Sequence, residues 1–245
     1  MKVDYLFCAF LGFVLCSVSI QARTQTTLDY KSRIHPEIAS DFMVVSQNEH
    51  ATEVGYEILR KGGNAVDASV AVGFALAVTL PRAGNLGGGG FILIYDEESG
   101  DISAIDYRSA APISSTSDLF IREESVVRFG HLVNAVPGSV AGLLKAHEDH
   151  GSLPLVELLK PAIRLAKDGF EVTHDLNYAL EWGKESMLDN KVSKGKFYNL
   201  DEDPIQIRST FKQPTLAKTL FKISKKGRDI FYKGEIAEWI SEESL

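Results

Sequence analysis

Residues 62–91 of the chain are GGNAVDASVAVGFALAVTLPRAGNLGGGGF, a stretch that predicts a buried helix and the strand that follows it. Asn64 can cap the helix N-terminus, and Asp67 three residues later complements the positive end of the helix dipole. Residues 65–79 are apolar or small on almost every face, so this helix should be buried on all sides. Pro81 ends it, because proline cannot continue the helical hydrogen-bond pattern.

The glycine run at residues 87–90 leads from this helix into an apolar segment. Residues 91–95 have strand character, residues 96–101 are typical of a turn, and residues 102–108 form a second candidate strand. Together these segments predict a β-hairpin.

Four consecutive glycines also suggest a nucleotide-binding loop. Such a loop leads from a strand into a helix, whose N-terminal amides hold the phosphate. Here the order is reversed, and no Gly-Lys-Ser/Thr follows the glycines. We therefore interpret the run as a place where two backbone layers approach closely, and we expect no nucleotide or other cofactor.

An amphipathic helix is predicted just before this stretch. Apolar residues recur on one helical face at positions 51, 54, 55, 58 and 59, and the pattern ends at Gly62-Gly63. A short strand is expected at residues 43–46.

The second half of the chain predicts mainly helices. Residues 139–150 form a candidate helix closed by Gly151, and Pro161 suits the first turn of another helix, which Gly169 closes. Further candidate helices start at Thr173 and cover residues 216–226 and 235–245. The predicted fold class is α/β in its α+β form, with a mainly helical second half.

Residues 1–22 are typical of a signal peptide, with an apolar run at residues 5–20 and a plausible cleavage site after Ala22. The run is shorter than the roughly 20 residues of a membrane-spanning helix. We therefore expect the protein to be exported, to the periplasm or the extracellular space. Cys8 and Cys16 both lie in this segment, so the mature chain would have neither a disulfide scaffold nor a thiol nucleophile.

The net charge and the pattern of candidate metal ligands argue against two further functions, nucleic-acid binding and metal binding. The 245 residues carry a net charge of −7, and an acidic surface repels the phosphates of nucleic acids, so no nucleic-acid partner is expected. His147 and His150 flank two carboxylates, but no further metal ligands stand out, so this segment is interpreted as a solvated helix end and no metal site is expected.

Asp106 and Arg108 lie two residues apart in the second candidate strand, and therefore on the same face of it. Spacing alone favours a simple ion pair, which contributes little when exposed. The alternative is that Arg108 offers its planar set of donors to a substrate carboxylate.

Three motifs in sequence order decide between these interpretations: GGNAVDA at 62–68, AGNLGGGGF at 83–91 and IDYRSAAP at 105–112. Together they resemble the gamma-glutamyltranspeptidase family in its bacterial form. Shorter motifs continue the resemblance in the same order at residues 136–138, 161–170 and 231–234. The resemblance runs from about His35 to the last residue.

The resemblance implies an N-terminal nucleophile hydrolase, an αββα sandwich whose precursor cleaves itself into a large and a small subunit. The threonine that opens the small subunit attacks the γ-glutamyl amide of glutathione or another γ-glutamyl compound, with its own free amine as base. The glutamyl group then passes to water or to an acceptor amino acid or peptide.

In this family the arginine of the IDYRSAAP-type motif binds the α-carboxylate of the substrate. The resemblance therefore assigns substrate binding to Arg108, with Asp106 as a candidate to orient it. The family's Thr-Thr-His-type nucleophile sequence does not occur in the chain: Thr26-Thr27 is followed by Leu28 and lies near the signal cleavage site.

Residues 23–245 are accordingly expected to be a truncated N-terminal part of the large subunit. No catalytic residue is assigned in this chain. The sandwich would be incomplete, it would expose apolar surface, and it would need a small-subunit segment as partner. We expect the chain to be inactive alone.

Two alternatives stay open at this point. The chain could belong to a cephalosporin acylase-like amidase, whose substrate side chain also ends in a carboxylate. It could also be a non-catalytic binding protein built from half of the fold.

Overall fold

The computed structural model describes residues 37–113, 115–118, 121 and 134–244. Residues 42–244 belong to one compact unit. The expected signal peptide at residues 1–22 lies outside the described residues, so it stays a prediction. None of the helices within the described ranges combines the length and the apolar content needed to cross a lipid bilayer.

The first two helices form where the sequence predicts them. Helix α1 spans Glu49–Arg60, and Gly62 after it has a φ of 87°, the left-handed conformation that glycine tolerates. Helix α2 spans Ala65–Thr79, and its N-terminus has a capping box in which Asn64 and Asp67 each bind the other's backbone N–H.

Helix α2 is the centre of the core. It packs against α1 and against two later helices, α3 (Ser139–His150) and α4 (Leu155–Asp168). Ten of its fifteen residues are buried, and Phe74 has no exposed surface. One stripe of the helix is not covered, so the expectation of burial on every side is wrong there. Its residues are exposed or half-buried and line an open cavity: Ala65, Ser69, Val72, Gly73 and Leu76.

The predicted hairpin consists of β1 (Phe91–Tyr95) and β2 (Ile102–Asp106), paired antiparallel with Phe91 opposite Asp106. Strand β2 therefore ends two residues before the predicted end at Arg108, because the chain turns away from β1 after residue 107. One face of the hairpin packs against α3. The opposite face carries four exposed apolar side chains: Phe91, Leu93, Tyr95 and Ile102.

The rest of the chain is mainly helical, as predicted. The elements after α4 are β3 (Phe170–Glu171), α5 (His174–Trp182), α6 (Lys184–Leu188), α7 (Lys191–Phe197), β4 (Thr210–Phe211), α8 (Pro214–Lys226), α9 (Asp229–Tyr232) and α10 (Glu235–Glu243). Strands β3 and β4 pair with each other, and α8 packs on α4. This second layer also reaches α1, since the rings of Phe170 and His50 have centroids 5.7 Å apart.

Two local expectations are wrong. Residues 43–46 form no strand; the side chain of Val44 instead packs on α1, where a Cβ added to Gly55 would lie 2.7 Å from it. Pro161 lies inside α4 rather than in its first turn, because the helix already begins at Leu155. The closing role expected of Gly169 is confirmed by its φ of 94°.

Candidate functional site

Arg108 lies just beyond the end of β2, and its side chain is exposed. Its backbone N–H donates a hydrogen bond to Oδ1 of Asp106 at 2.9 Å. Among the described residues no carboxylate lies within ion-pair distance of the Arg108 guanidinium. Asp106 therefore fixes the backbone at Arg108, and the expected ion pair between the two side chains is not formed.

Backbone pairs hold the chain on both sides of Arg108. Tyr107 and Gly90 exchange two hydrogen bonds, of 3.0 and 3.3 Å, which extend the hairpin by one pair. Ala110 and Val136 exchange another two, of 3.1 and 2.8 Å. The guanidinium is thus carried by a short segment whose ends are both fixed.

The glycine run lies directly against this segment. A Cβ added to Gly89 would be 2.4 Å from the backbone nitrogen of Ser109, so no side chain fits there. The carbonyl oxygen of Gly88 accepts hydrogen bonds from the N–H groups of Gly138 and Ser139, at 2.8 and 3.0 Å. The structural interpretation of the glycines is confirmed: they let the hairpin end and the start of α3 meet.

Gly138 makes the closest approach of all. A Cβ on this residue would lie 1.9 Å from the carbonyl oxygen of Tyr107. Residues 88–90, 107–110 and 136–139 therefore meet backbone to backbone. We call these three segments the Arg108 corner.

Tyr107 points from the corner into the protein. Its ring covers α3 so closely that a Cβ on Gly142 would lie 2.1 Å from Cγ of the ring. Burial raises the pKa of the Tyr107 phenol, so the hydroxyl stays protonated at neutral pH. Because successive side chains of an extended chain alternate in direction, Arg108 leaves on the opposite side, where Asp106 is exposed.

Sequence reasoning missed one residue that contacts this corner. Tyr232 of α9 donates its hydroxyl hydrogen to the carbonyl oxygen of Pro137 at 2.8 Å and accepts a hydrogen bond from the N–H of Ala141 at 3.1 Å. Burial raises the pKa of Tyr232 as well. Its place in the motif at residues 231–234 was the only signal in the sequence, and that motif does not reveal a contact across more than 90 residues.

The cavities described in this structure lie away from Arg108. Four cavities that the described residues line have volumes from 520 to 780 Å³, and Arg108 borders none of them. The cavity between α1 and α4 contains charged side chains, but Glu57 there pairs with both Lys61 at 2.7 Å and Arg164 at 3.0 Å.

Side chains of residues 147–150, which were weighed as a metal site, bind other groups of the protein instead. A ring nitrogen of His147 lies 2.7 Å from the carbonyl oxygen of Leu153 and so links α3 to the segment before α4. Asp149 pairs with Lys145 one turn earlier. Across the described ranges, no three His, Cys, Asp or Glu side chains are grouped to hold a metal ion.

Known proteins match this chain over most of its length. The family model described as Gamma-glutamyltranspeptidase matches residues 51–244. The glutathione hydrolase proenzyme of Escherichia coli is 44% identical over 215 residues, which are 85% of this chain and 37% of that protein. The chain thus spans little more than a third of the length of the curated relatives that it matches.

Solved structures agree. The Helicobacter pylori gamma-glutamyltranspeptidase superposes with a TM-score of 0.80 at 36% identity, over 85% of this chain and 61% of that one. A cephalosporin acylase from Bacillus halodurans has a TM-score of 0.70 at 24% identity, over 86% of this chain and 42% of that one, a likeness of fold alone.

The mixed helix-and-sheet architecture is thus that of the N-terminal nucleophile hydrolases. Within the described ranges the chain contributes the β1–β2 hairpin, with α3 packed on one of its faces, and a second two-stranded sheet of β3 and β4. From the ordered motifs, the match over residues 51–244 and this shared architecture, the chain belongs to the gamma-glutamyltranspeptidase family.

Proposed function

We propose that this chain is part of a gamma-glutamyltransferase and glutathione hydrolase, and that Arg108 binds the α-carboxylate of its γ-glutamyl substrate. The single observation that carries the proposal is the state of Arg108: exposed, on a backbone fixed at both ends, and without a carboxylate partner among the described residues. A guanidinium held in this way can offer two parallel N–H donors to one carboxylate.

The chemistry would then divide between this chain and a small-subunit segment that follows the family pattern. Arg108 would hold the glutamyl end of glutathione, while a threonine from that segment attacks the γ-carbonyl carbon. The C–N bond of the amide breaks, and the leaving amine takes the proton that the threonine hydroxyl gives up to its own N-terminal amine. Water, an amino acid or a peptide then accepts the glutamyl group.

Two further assignments belong to the same proposal. Residues 1–22 would direct export to the periplasm or the extracellular space, and residues 23–245 would be the N-terminal part of a large subunit. The names of the relatives favour glutathione hydrolysis over acylase chemistry, since the acylase resemblance is one of fold alone. A purely binding function has no observation in its favour.

The test is the substitution Arg108→Lys in the intact gene product that contains this chain. Lysine keeps the positive charge but loses the planar pair of donors. We expect KM for a γ-glutamyl anilide to rise about tenfold, the effect of losing one charge-assisted hydrogen bond, while kcat changes much less.

Arg164→Lys is the matched control, because Arg164 is also exposed and pairs with Glu57 away from the Arg108 corner. This control should leave KM unchanged. An Arg108→Lys enzyme with the KM of the unmodified protein would show that Arg108 does not bind the substrate carboxylate.

A further inference from the structure

The hydroxyl of Tyr232 joins two parts of the chain that are far apart in sequence. Its partners, the carbonyl oxygen of Pro137 and the N–H of Ala141, are 95 and 91 residues away. Ala141 lies in the first turn of α3, and Pro137 lies just before the helix, on the other side of Gly138. The hydroxyl therefore accepts a hydrogen bond from an N–H at the helix start that has no helical partner. It also donates a hydrogen bond to the residue that leads into the helix.

The turn that Tyr232 holds is the one that contacts the segment carrying Arg108. With no side chain, Gly138 lets its backbone lie against the Tyr107 carbonyl, and its N–H bonds to Gly88 at 2.8 Å. Because these contacts are between backbones, a shift of the turn cannot be absorbed by rotation of a side chain. It would move the Arg108 corner itself.

Tyr232 is itself well fixed. Its neighbour Phe231 is buried, and the two rings meet edge to face with centroids 5.0 Å apart. The guanidinium of Arg228 lies 5.4 Å from the centre of the Tyr232 ring. The phenol is thus held from the C-terminal helical layer rather than from the hairpin.

We propose that Tyr232 is a positioning residue that sets where Arg108 presents its guanidinium. This inference rests on the proposed function of Arg108 as the ligand of the substrate carboxylate. The link runs from the Tyr232 hydroxyl through residues 137–141 to Tyr107 and from there to Arg108. The C-terminal layer of the chain thereby contributes to substrate binding without touching the substrate.

A matched control separates positioning from mere stabilisation. The Tyr198 hydroxyl also donates to a carbonyl oxygen, that of Leu180 at 2.7 Å, in a buried site outside the Arg108 corner. Tyr232→Phe removes the two hydrogen bonds of one phenol and Tyr198→Phe removes a single one, and both variants keep the ring. Each lost bond should lower the melting temperature by about 2–4 °C, so both variants should be destabilised.

The first readout is amide hydrogen exchange, which needs no activity and uses the 245-residue chain. Tyr232→Phe should speed exchange about tenfold at the corner amides, of which Gly90, Tyr107, Gly138 and Ser139 are bonded in the structure. Tyr198→Phe should leave these amides unchanged. Equal exchange at the corner in both variants would overturn the positioning role.

The second readout is kinetic and uses the intact gene product. We expect Tyr232→Phe to raise KM for a γ-glutamyl anilide about fivefold, the effect of one neutral hydrogen bond, with kcat within about twofold. Tyr198→Phe should leave KM unchanged. If Arg108→Lys raises KM but Tyr232→Phe does not, the positioning role is wrong and the proposed function stands. If Arg108→Lys leaves KM unchanged, the proposed function fails, and hydrogen exchange alone decides whether Tyr232 holds the corner.

Discussion

Replacing Gly142 by alanine is expected to lower the free energy of unfolding by about 3 kcal/mol, the upper part of the range for overpacked sites. The added Cβ would lie 2.1 Å from Cγ and 2.4 Å from Cβ of Tyr107. These atoms are at the base of the side chain, so the ring cannot move aside unless the backbone at residue 107 moves too. The clash is therefore relieved only by separating α3 from the hairpin.

Gly195→Ala is the control for this substitution. Gly195 also lies in a helix, α7, but a Cβ there meets nothing within 4 Å. Alanine is the better helix former by up to about 1 kcal/mol, so this variant should be as stable as the original chain or more so. Urea unfolding of both variants measures the difference. A Gly142→Ala chain as stable as Gly195→Ala would contradict the close packing of Tyr107 on α3.

The second large effect is expected at Asp67, whose side chain is fully buried in the first turn of α2. Its carboxylate accepts hydrogen bonds from the N–H groups of Asn64, Ser152 and Leu153 and from the Ser152 hydroxyl at 2.5 Å. Asp67→Asn removes the charge and turns an amide NH2 toward these donors. We expect a loss of about 3 kcal/mol at neutral pH.

The loss of stability caused by Asp67→Asn should become smaller as the pH falls into the acidic range. Burial by itself would raise the pKa of Asp67, but the hydrogen bonds from Ser152, Asn64 and Leu153 outweigh it and hold the pKa below its ordinary value of 3.8. A lowered folded-state pKa contributes stability that is fully present above the unfolded pKa and is lost as the pH falls through the folded one. The stability difference between the original chain and Asp67→Asn should thus be constant near neutral pH and shrink below about pH 4.

The control at another helix N-terminus is Asp175→Asn. Asp175 is exposed and pairs with Arg82 at 2.8 Å, so its loss should cost less than about 1 kcal/mol. Chemical unfolding of the three proteins at several pH values gives the comparison. If the stability difference between the original chain and Asp67→Asn stayed the same from pH 7 to pH 3, the Asp67 carboxylate would not be held in its charged form.

The two parts of the Asp67 site show what sequence can and cannot predict. The capping box with Asn64 was predictable, because both partners lie within four residues and the geometry of a helix start is fixed. The bonds to Ser152 and Leu153 were not, since these residues follow 85 and 86 positions later. Nothing in the local pattern distinguishes a solvated acidic cap from one that joins two helices.

The Arg108 corner also has features that the sequence predicts and features that it does not. The order helix, glycines, strand excluded a phosphate loop and correctly indicated a close backbone crossing. The partner of that crossing, the turn at Gly138, could not be found from the hairpin sequence alone. Spacing alone favoured an ion pair between Asp106 and Arg108, whereas the carboxylate accepts a hydrogen bond from the Arg108 backbone at the point where the strand has ended.

Tertiary packing explains the misplaced helix start. Proline favours the first turn of a helix, so Pro161 suggested a start there. In the structure Leu158, Leu159 and Ala162 are completely buried, and their burial extends α4 back to Leu155 in spite of the proline. The assignment of Arg108 to substrate binding came from the family resemblance, since spacing by itself favoured an ion pair.

The most direct test of the central claim is a crystal structure of the intact gene product with L-glutamate bound. Two guanidinium nitrogens of Arg108 should lie within about 3 Å of the two α-carboxylate oxygens. A ligand whose α-carboxylate is bound by other groups, with Arg108 beyond hydrogen-bond distance, would contradict this claim.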